Sequence, residues 1–301
     1  MSNAKRWLRK IYASLPLKKP VYMVLRRCIR LPANVYRHLH FVAPITVTVQ
    51  KNICFRMFHF GAQLENDLFW AGYGNGWEAT SLRLWARVAA YSQTIFDVGS
   101  NTGVYALAAK AVNQKADVFA FEPVISIAEK LERNIALNGK KISVVRSAVS
   151  DVTGQAPIYI PSSEHSYSAS LNSKMLNGAV ELTETYVSTI TLDDFVENGI
   201  LSSVDLVKID SEMHEAEILA GLVTTIARFR PALLVEVLNR DIGSRVELCI
   251  AESDYLFYEI VEGVMVRRVA TLGGSSRNYF LCPRELAALN GFSDIMAHSS
   301  L

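Results

Sequence analysis

The segment "KIDSEMHEAEILAG", residues 208–221, gathers Asp210, Glu212, His214, Glu215 and Glu217 into one short stretch. An apolar run, Val204–Ile209, leads in, and Ile218, Leu219, Leu222, Val223 and Ile226 follow at amphipathic spacing. A strand is expected to hand over to a helix across these side chains. Three chemistries are compatible with them. Asp210 or His214 could act as a general base, with Glu212 orienting it or binding a substrate hydroxyl. Asp210, Glu212 and His214 could hold a hard cation. Such an ion needs more oxygen ligands, and no second cluster supplies them, so no metal is expected. The bland reading is a solvated first helical turn, where acids are favoured; Glu215 and Glu217 suit it best.

These residues need a scaffold. From residue 94 onward, apolar β-branched runs recur at Thr94–Val98, Val118–Phe121, Ile142–Val145, Val204–Ile209 and Ala232–Val237, with helical patterns between most of them. Alternating strands and helices predict a parallel sheet covered on both faces. Ser126 and Glu129 have capping-box spacing, Ile127, Leu131 and Ile135 form an apolar stripe, and Asn138-Gly139 is a stop signal, so a helix lies between the second and third strands. Ile242–Ile250 reads as another. Leu256–Val261, Val264–Val269 and Asn278–Leu281 follow as strands without helices between them, so the sheet ends antiparallel. Gly154–Pro161 and Thr185–Thr191 look like short strands flanking "SSEHSYSASLNSK", an insert long enough to be a lid or binding loop.

Open parallel sheets bind ligands beyond the carboxyl ends of their strands. Those ends carry the loop "DVGSNTG" (Asp97–Gly103), then Glu122, Asp210 and Glu236. Glu122 stands where a carboxylate can accept both hydroxyls of a ribose. This describes an adenosine-containing cofactor. A dinucleotide loop reads GxGxxG, but Gly99-Ser-Asn-Thr-Gly103 lacks the middle glycine. Asp97 would repel a pyrophosphate and could hold an ammonium. S-adenosyl-L-methionine, with an ammonium, a sulfonium and no phosphate, suits the acidic strand ends better.

The ordered set "DVGSNTGVYAL", "AFEP", "NIALNG", "TLDDF", "VKIDSEMHEAEILAG" and "LLVEV" resembles the FkbM-type family of class I S-adenosylmethionine-dependent methyltransferases. The resemblance covers residues 75–283. It implies a Rossmann-like, mostly parallel seven-stranded sheet with an antiparallel C-terminal strand. It also implies methyl transfer to an oxygen, commonly a hydroxyl of a sugar, glycan or related natural product. By position, Asp97, Gly99, Asn101 and Gly103 fall in the cofactor loop and Glu122 at the ribose. Lys208, Asp210, Glu212, Glu215 and Gly221 match the family's K-I-D-x-E-G-x-E…G signature. The chain departs from it at Ser211 and at Met213, where glycine is usual. Methionine there is expected to impose an ordinary helical or extended backbone. Glu236, and His165 and Ser168 in the insert, are the candidate acceptor-binding residues.

Three units are expected: a basic helical cap over residues 1–76, the methyltransferase domain over 77–283 with its insert near 151–191, and a tail from 284 to 301. The 301-residue chain is 50% hydrophobic and 20% charged, a globular composition with no run long enough to span a membrane. Cys28, Cys54, Cys249 and Cys282 form no CxxC pair, which fits buried thiols in a reducing, cytoplasmic compartment. Residues 1–64 hold twelve of the 31 Lys and Arg and none of the 29 Asp and Glu. Apolar residues recur among them at helical spacing, as in Tyr22, Leu25 and Ile29. Such a segment can lie on an anionic membrane, a glycan or the acidic body of its own chain. Nucleic acid is not expected, because the sheet domain is acidic. The alternatives to an enzyme of this kind are an inactive scaffold or membrane-surface adaptor that keeps the fold and, less favoured by the loop, a nicotinamide-dependent oxidoreductase.

Overall fold

The computed structural model describes residues 17–161 and 182–288. Its first elements are α1 (Lys18–Cys28), α2 (Ala33–Tyr36), β1 (Ala43–Gln50), β2 (Ile53–His59) and α3 (Gln63–Trp70). The helix expected around Tyr22 is present as α1. The hairpin β1–β2 was not foreseen, although its pattern is period two: Ile45, Val47, Phe55 and Met57 are buried, while Thr46, Thr48 and Arg56 face out. The basic segment is therefore not a helical cap alone. Its hairpin shares a core with the sheet domain through Phe55, Met57, Trp85 and Leu107.

Beyond it come α4 (Ala79–Ala89), β3 (Thr94–Val98), α5 (Val104–Val112), β4 (Asp117–Phe121), α6 (Ile125–Ala136), β5 (Ser143–Val145), β6 (Ala148–Val149), β7 (Gly154–Pro161) and β8 (Leu182–Ile190). Then follow α7 (Leu192–Asn198), β9 (Leu206–Ile209), α8 (Glu215–Ala220), α9 (Val223–Phe229), β10 (Ala232–Glu236) and α10 (Arg240–Cys249). The chain ends in β11 (Tyr255–Val261), β12 (Met265–Val269), β13 (Asn278–Pro283) and α11 (Arg284–Ala287). Eight strands form the main sheet, in the order β5-β4-β3-β9-β10-β13-β11-β12. The five strands from β5 to β10 are mutually parallel. β13 inserts antiparallel between β10 and β11, and β12 folds back as an antiparallel edge beyond the seven strands expected. The insert's strands form a separate sheet, β6-β8-β7, and the candidates His165 and Ser168 lie outside the described residues.

The sheet is buried on both faces, which is why its strands read as apolar runs. Ile95, Leu206, Leu234 and Phe280 enter one core with Leu82, Trp85 and Leu107 of α4 and α5. Their neighbours Phe96, Val207, Leu233 and Leu281 enter the other with Leu192, Ile218, Leu219 and Val246 of α7, α8 and α10. Ser126 does not cap α6. The cap position is Val124, so Ser126 lies in the first turn. The "NIALNG" motif has a tertiary use: Asn138 pairs with both backbone groups of Arg56, and Asn134 links the Phe58 amide to the Thr102 carbonyl. These amides fasten the hairpin to α6 and to the loop before α5. All four cysteines are free; Cys282 is buried, but Cys28 and Cys54 are exposed, contrary to the expected burial.

Candidate active site

The carboxyl ends of β3, β4, β9 and β10 open onto a cavity of about 630 Å³, within the range of small-molecule sites. Gly99, Asn101, Glu122, Asp210, Glu212, His214 and Glu236 all line it. The topology thus brings together seven residues that are far apart in the chain. Gly99 sits at φ +72, and a Cβ there would fall 1.8 Å from the Asp210 carbonyl oxygen. The first loop and the turn after β9 therefore touch backbone to backbone. Gly99 and Ser100 donate their amides to the Phe121 carbonyl at 3.1 and 3.0 Å, which locks the loop to the tip of β4.

At that tip the Glu122 carboxylate accepts the Asn101 amide at 3.1 Å and the Val124 amide at 3.0 Å. Each oxygen keeps a lone pair for a hydroxyl. Burial pushes this carboxyl up to about 7, against the pull of the two amides. Asp97 is fully buried beneath the loop, set back from the residues that line the cavity. One oxygen accepts the Ala106 amide at 2.9 Å and pins the start of α5; the other is buried without a bonded partner. Gly103 is likewise set back, packed on Leu131 where α5 begins.

The segment 208–221 divides along its length. Lys208, buried in β9, places its ammonium 2.8 Å from Asp210 and 4.7 Å from the centre of the Tyr105 ring. Glu212 and Met213 follow with φ of +54 and +74. Met213 therefore adopts the left-handed backbone that a glycine would, and the expectation of an ordinary conformation is overturned. The cause is Glu215. Its carboxylate accepts the Ser211 amide at 3.2 Å, the Ser211 hydroxyl at 3.3 Å and the Met213 amide at 3.1 Å. Glu215 is fully buried rather than solvated, and its role is to tie this turn. Glu217 pairs with Arg245 at 2.5 Å. His214 turns toward the insert: its Nε2 lies 2.9 Å from the Ser150 hydroxyl and its Nδ1 3.8 Å from Glu217. Burial holds the imidazole below its ordinary value. Met213→Gly is expected to stabilise the protein by about 1 kcal/mol, because a left-handed backbone strains any side chain with a Cβ. Urea unfolding measures it, and an unchanged or lowered midpoint would show that the turn carries no strain.

On the far side of the cavity Glu236, at the end of β10, pairs with Arg277 at 2.7 Å, and its second oxygen is buried without a bonded partner. Burial and the nearby Asp210 push its carboxyl up to about 9. Sequence reasoning missed Glu78 and Tyr105, which also line the cavity. The Tyr105 hydroxyl donates to Glu78 at 2.5 Å. Glu78 lies just beyond a stretch, "GYGNG", that reads only as a turn-rich boundary. Among the described residues no group of three or more His, Cys, Asp or Glu is arranged to hold a metal ion.

Glu78, Glu122 and Glu215 are raised to about 7 and Glu236 to about 9, all first by burial. A raised folded-state pKa means the folded protein binds the proton more tightly. The stability this gives is fully present below the ordinary carboxylate range and is lost as pH rises through about 7 to 9. Thermal melts of the ligand-free protein are therefore expected to fall from pH 6 to pH 9. A midpoint that climbs over that range would contradict the burial of these groups.

The family model described as the methyltransferase FkbM domain matches residues 97–259. A hexuronic acid methyltransferase, AglP of Haloferax volcanii, is 30% identical over 149 residues, covering 50% of this chain and 58% of that protein. The crystal structure of methyltransferase FkbM from Methylobacillus flagellatus KT aligns at 16% identity and a TM-score of 0.39, over 63% of this chain and 43% of that one. An S-adenosylmethionine-dependent O-methyltransferase from Thermotoga maritima aligns at 11% identity and a TM-score of 0.37, over 68% of this chain and 64% of that one. The chain thus spans less than two thirds of each of these relatives. The family match covers more than half of the chain and contains the loop, Glu122 and the signature segment in order: the chain belongs to the FkbM methyltransferase family.

Proposed function

We propose that the protein is an S-adenosyl-L-methionine-dependent O-methyltransferase whose acceptor is a hydroxyl of a sugar, glycan or related polyol. The observation that carries this reading is the Glu122 carboxylate. Two backbone amides fix it at a strand tip on the cavity wall, and it has lone pairs left for a ribose diol. Gly99 and Asn101 would pass beneath the cofactor. The carboxylates of Asp210 and Glu212 give the cavity the acidic lining that a sulfonium and an ammonium require. Bound there, the cofactor would supply an electrophilic methyl group. The chain's own residues must then align an acceptor oxygen with it, and alignment is worth about 7–11 kcal/mol. Asp210, clamped by Lys208, and Glu236, with its unpaired oxygen, are the groups proposed to hold acceptor hydroxyls. The name of the Haloferax relative supports a sugar acceptor.

The inactive-scaffold alternative rested on Met213 and Ser211; the turn accommodates Met213 in the conformation of a glycine, and Ser211 donates its amide and hydroxyl to Glu215. Peripheral contact with an anionic membrane remains a proposal for α1, where Val21 and Val24 are exposed beside Lys18, Lys19 and Arg27. Among the described residues no helix is long and apolar enough to cross a membrane. Co-sedimentation with anionic vesicles should fall in Val21→Glu/Val24→Glu; equal sedimentation of both proteins would exclude α1 as the contact.

The deciding experiment for the enzyme reading has two parts. S-adenosylmethionine should raise the melting temperature, with stabilisation near 2.7 kcal/mol at a hundredfold excess over Kd, whereas NADH should not. Labelled methyl should then enter glucose or glucuronic acid glycosides at an oxygen. A protein stabilised by NADH alone would be an oxidoreductase, and labelling of neither sugar would remove the sugar acceptor.

A further inference from the structure

We propose that Glu78, a residue outside the family match, is the general base that takes the acceptor's proton. This inference rests on the methyl-transfer reading above.

Glu78 occupies the position before α4, where an acidic side chain ordinarily caps its own helix. Its side chain makes no such cap. Glu262 does that work instead, accepting the Thr80 amide at 2.7 Å, the Ser81 amide at 3.3 Å and the Ser81 hydroxyl. Glu78 itself is held at φ +45, a left-handed backbone that is costly for a glutamate. The strained backbone and the borrowed cap leave the Glu78 carboxylate on the wall of the cavity.

Asp210, Glu236 and His214, which share the cavity, already have partners. One Asp210 oxygen is already bonded to the Lys208 ammonium at 2.8 Å. Glu236 is engaged by Arg277. The His214 ring is turned to Ser150 and Glu217. Among the described residues no ammonium or guanidinium is paired with Glu78. The groups that face it are the Tyr105 hydroxyl from α5, the Asn278 amide from β13, and Lys208 and Asp210 from β9 and its end. Glu262 and Tyr73 in turn face Tyr105. Burial, followed by Asp210, pushes the carboxyl up to about 7, while Lys208, Tyr105 and Asn278 pull the other way. A base of that strength is matched to neutral pH.

The step balances. The acceptor's O–H proton passes to a Glu78 carboxylate oxygen. The oxygen's electron pair forms the new O–C bond to the methyl carbon, and the S–C bond breaks with its pair left on sulfur. One carboxylate and one sulfonium are neutralised together, a change that a buried site favours.

Glu78→Gln tests this, because the amide oxygen can still accept from Tyr105. Turnover should drop by about 10²–10⁴-fold, S-adenosylmethionine affinity should stay within about threefold of wild type, and the acid limb of the pH–kcat profile should disappear. Tyr105→Phe should shift that limb to higher pH, since the hydroxyl favours the ionised carboxylate. An infrared titration of protein labelled with ¹³C-glutamate needs no acceptor: the carboxyl absorbance lost near pH 7 should be smaller by one carboxyl group in Glu78→Gln than in wild type, the share of Glu122 and Glu215 remaining. Titration of Glu78 in the ordinary carboxylate range would overturn the assignment, as would a wild-type rate and pH profile in Glu78→Gln. Failure of the wild-type protein to bind S-adenosylmethionine would instead overturn the methyl-transfer reading, and the base assignment with it.

Discussion

Replacing Gly99 with alanine should abolish cofactor binding and cost the fold about 2–4 kcal/mol. The added Cβ would lie 1.8 Å from the Asp210 carbonyl oxygen and 3.0 Å from its carbon. Both contacts are to backbone, so no side-chain rotation relieves them. The two loops must separate, which breaks the bond from the Asp210 amide to the Val98 carbonyl at 3.3 Å. The left-handed φ of Gly99 adds strain of about 1–3 kcal/mol for any residue with a Cβ. Gly139→Ala is the control: its φ is also positive, at +58, but a Cβ there meets nothing within 4 Å. Urea unfolding separates the two variants, and calorimetric titration with S-adenosylmethionine reads the site. Equal unfolding midpoints for Gly99→Ala and Gly139→Ala would show that the contact between the loops is not a close one.

Lys208→Met should destabilise the protein by about 3–5 kcal/mol, the usual consequence of removing one partner from a buried ion pair. Lys208 is only 5% exposed. Burial alone would lower its pKa, but Asp210, Asp97 and Glu78 outweigh it and keep the ammonium charged. Without it, Asp97 and Asp210 lose their buried counter-charge, and the Tyr105 ring loses the cation on its face. The loss should shrink on acidification. Burial already holds Asp97 at about 6 with the lysine in place. Without Lys208 its pKa climbs further, so protonation near pH 5 removes most of the uncompensated charge. Unfolding free energies at pH 8 and pH 5 check this. A destabilisation that is equal at both, or larger at pH 5, would mean that lost packing and not lost charge sets the cost.

The strand ends were legible because burial on both faces leaves a local imprint. Thr94–Val98 is read from its apolar run with the boundaries the fold shows. Glu122, Asp210 and Glu236 could be placed on one edge of the sheet because parallel strands deliver their carboxyl ends to the same side. The hairpin was missed although its alternation is plain, because the surrounding positive charges and helical spacings suggested a different period. Its fastening by Asn134 and Asn138 depends on partners more than seventy residues away.

By itself, the sequence determined the family, the runs that become the parallel strands and which acidic residues stand at their ends. Those features follow from periodicity and short motifs, and both are local. Tertiary structure alone decided what those residues do. It buried Asp97 below the loop, turned His214 toward Ser150, and held Met213 in a glycine's conformation through three bonds to Glu215. It also delivered Glu78, from ahead of the recognisable domain, to the same cavity as Asp210. Side-chain direction is set by which donor or charge lies within about 3 Å once the chain has packed, and no spacing along the chain encodes a partner a hundred residues away.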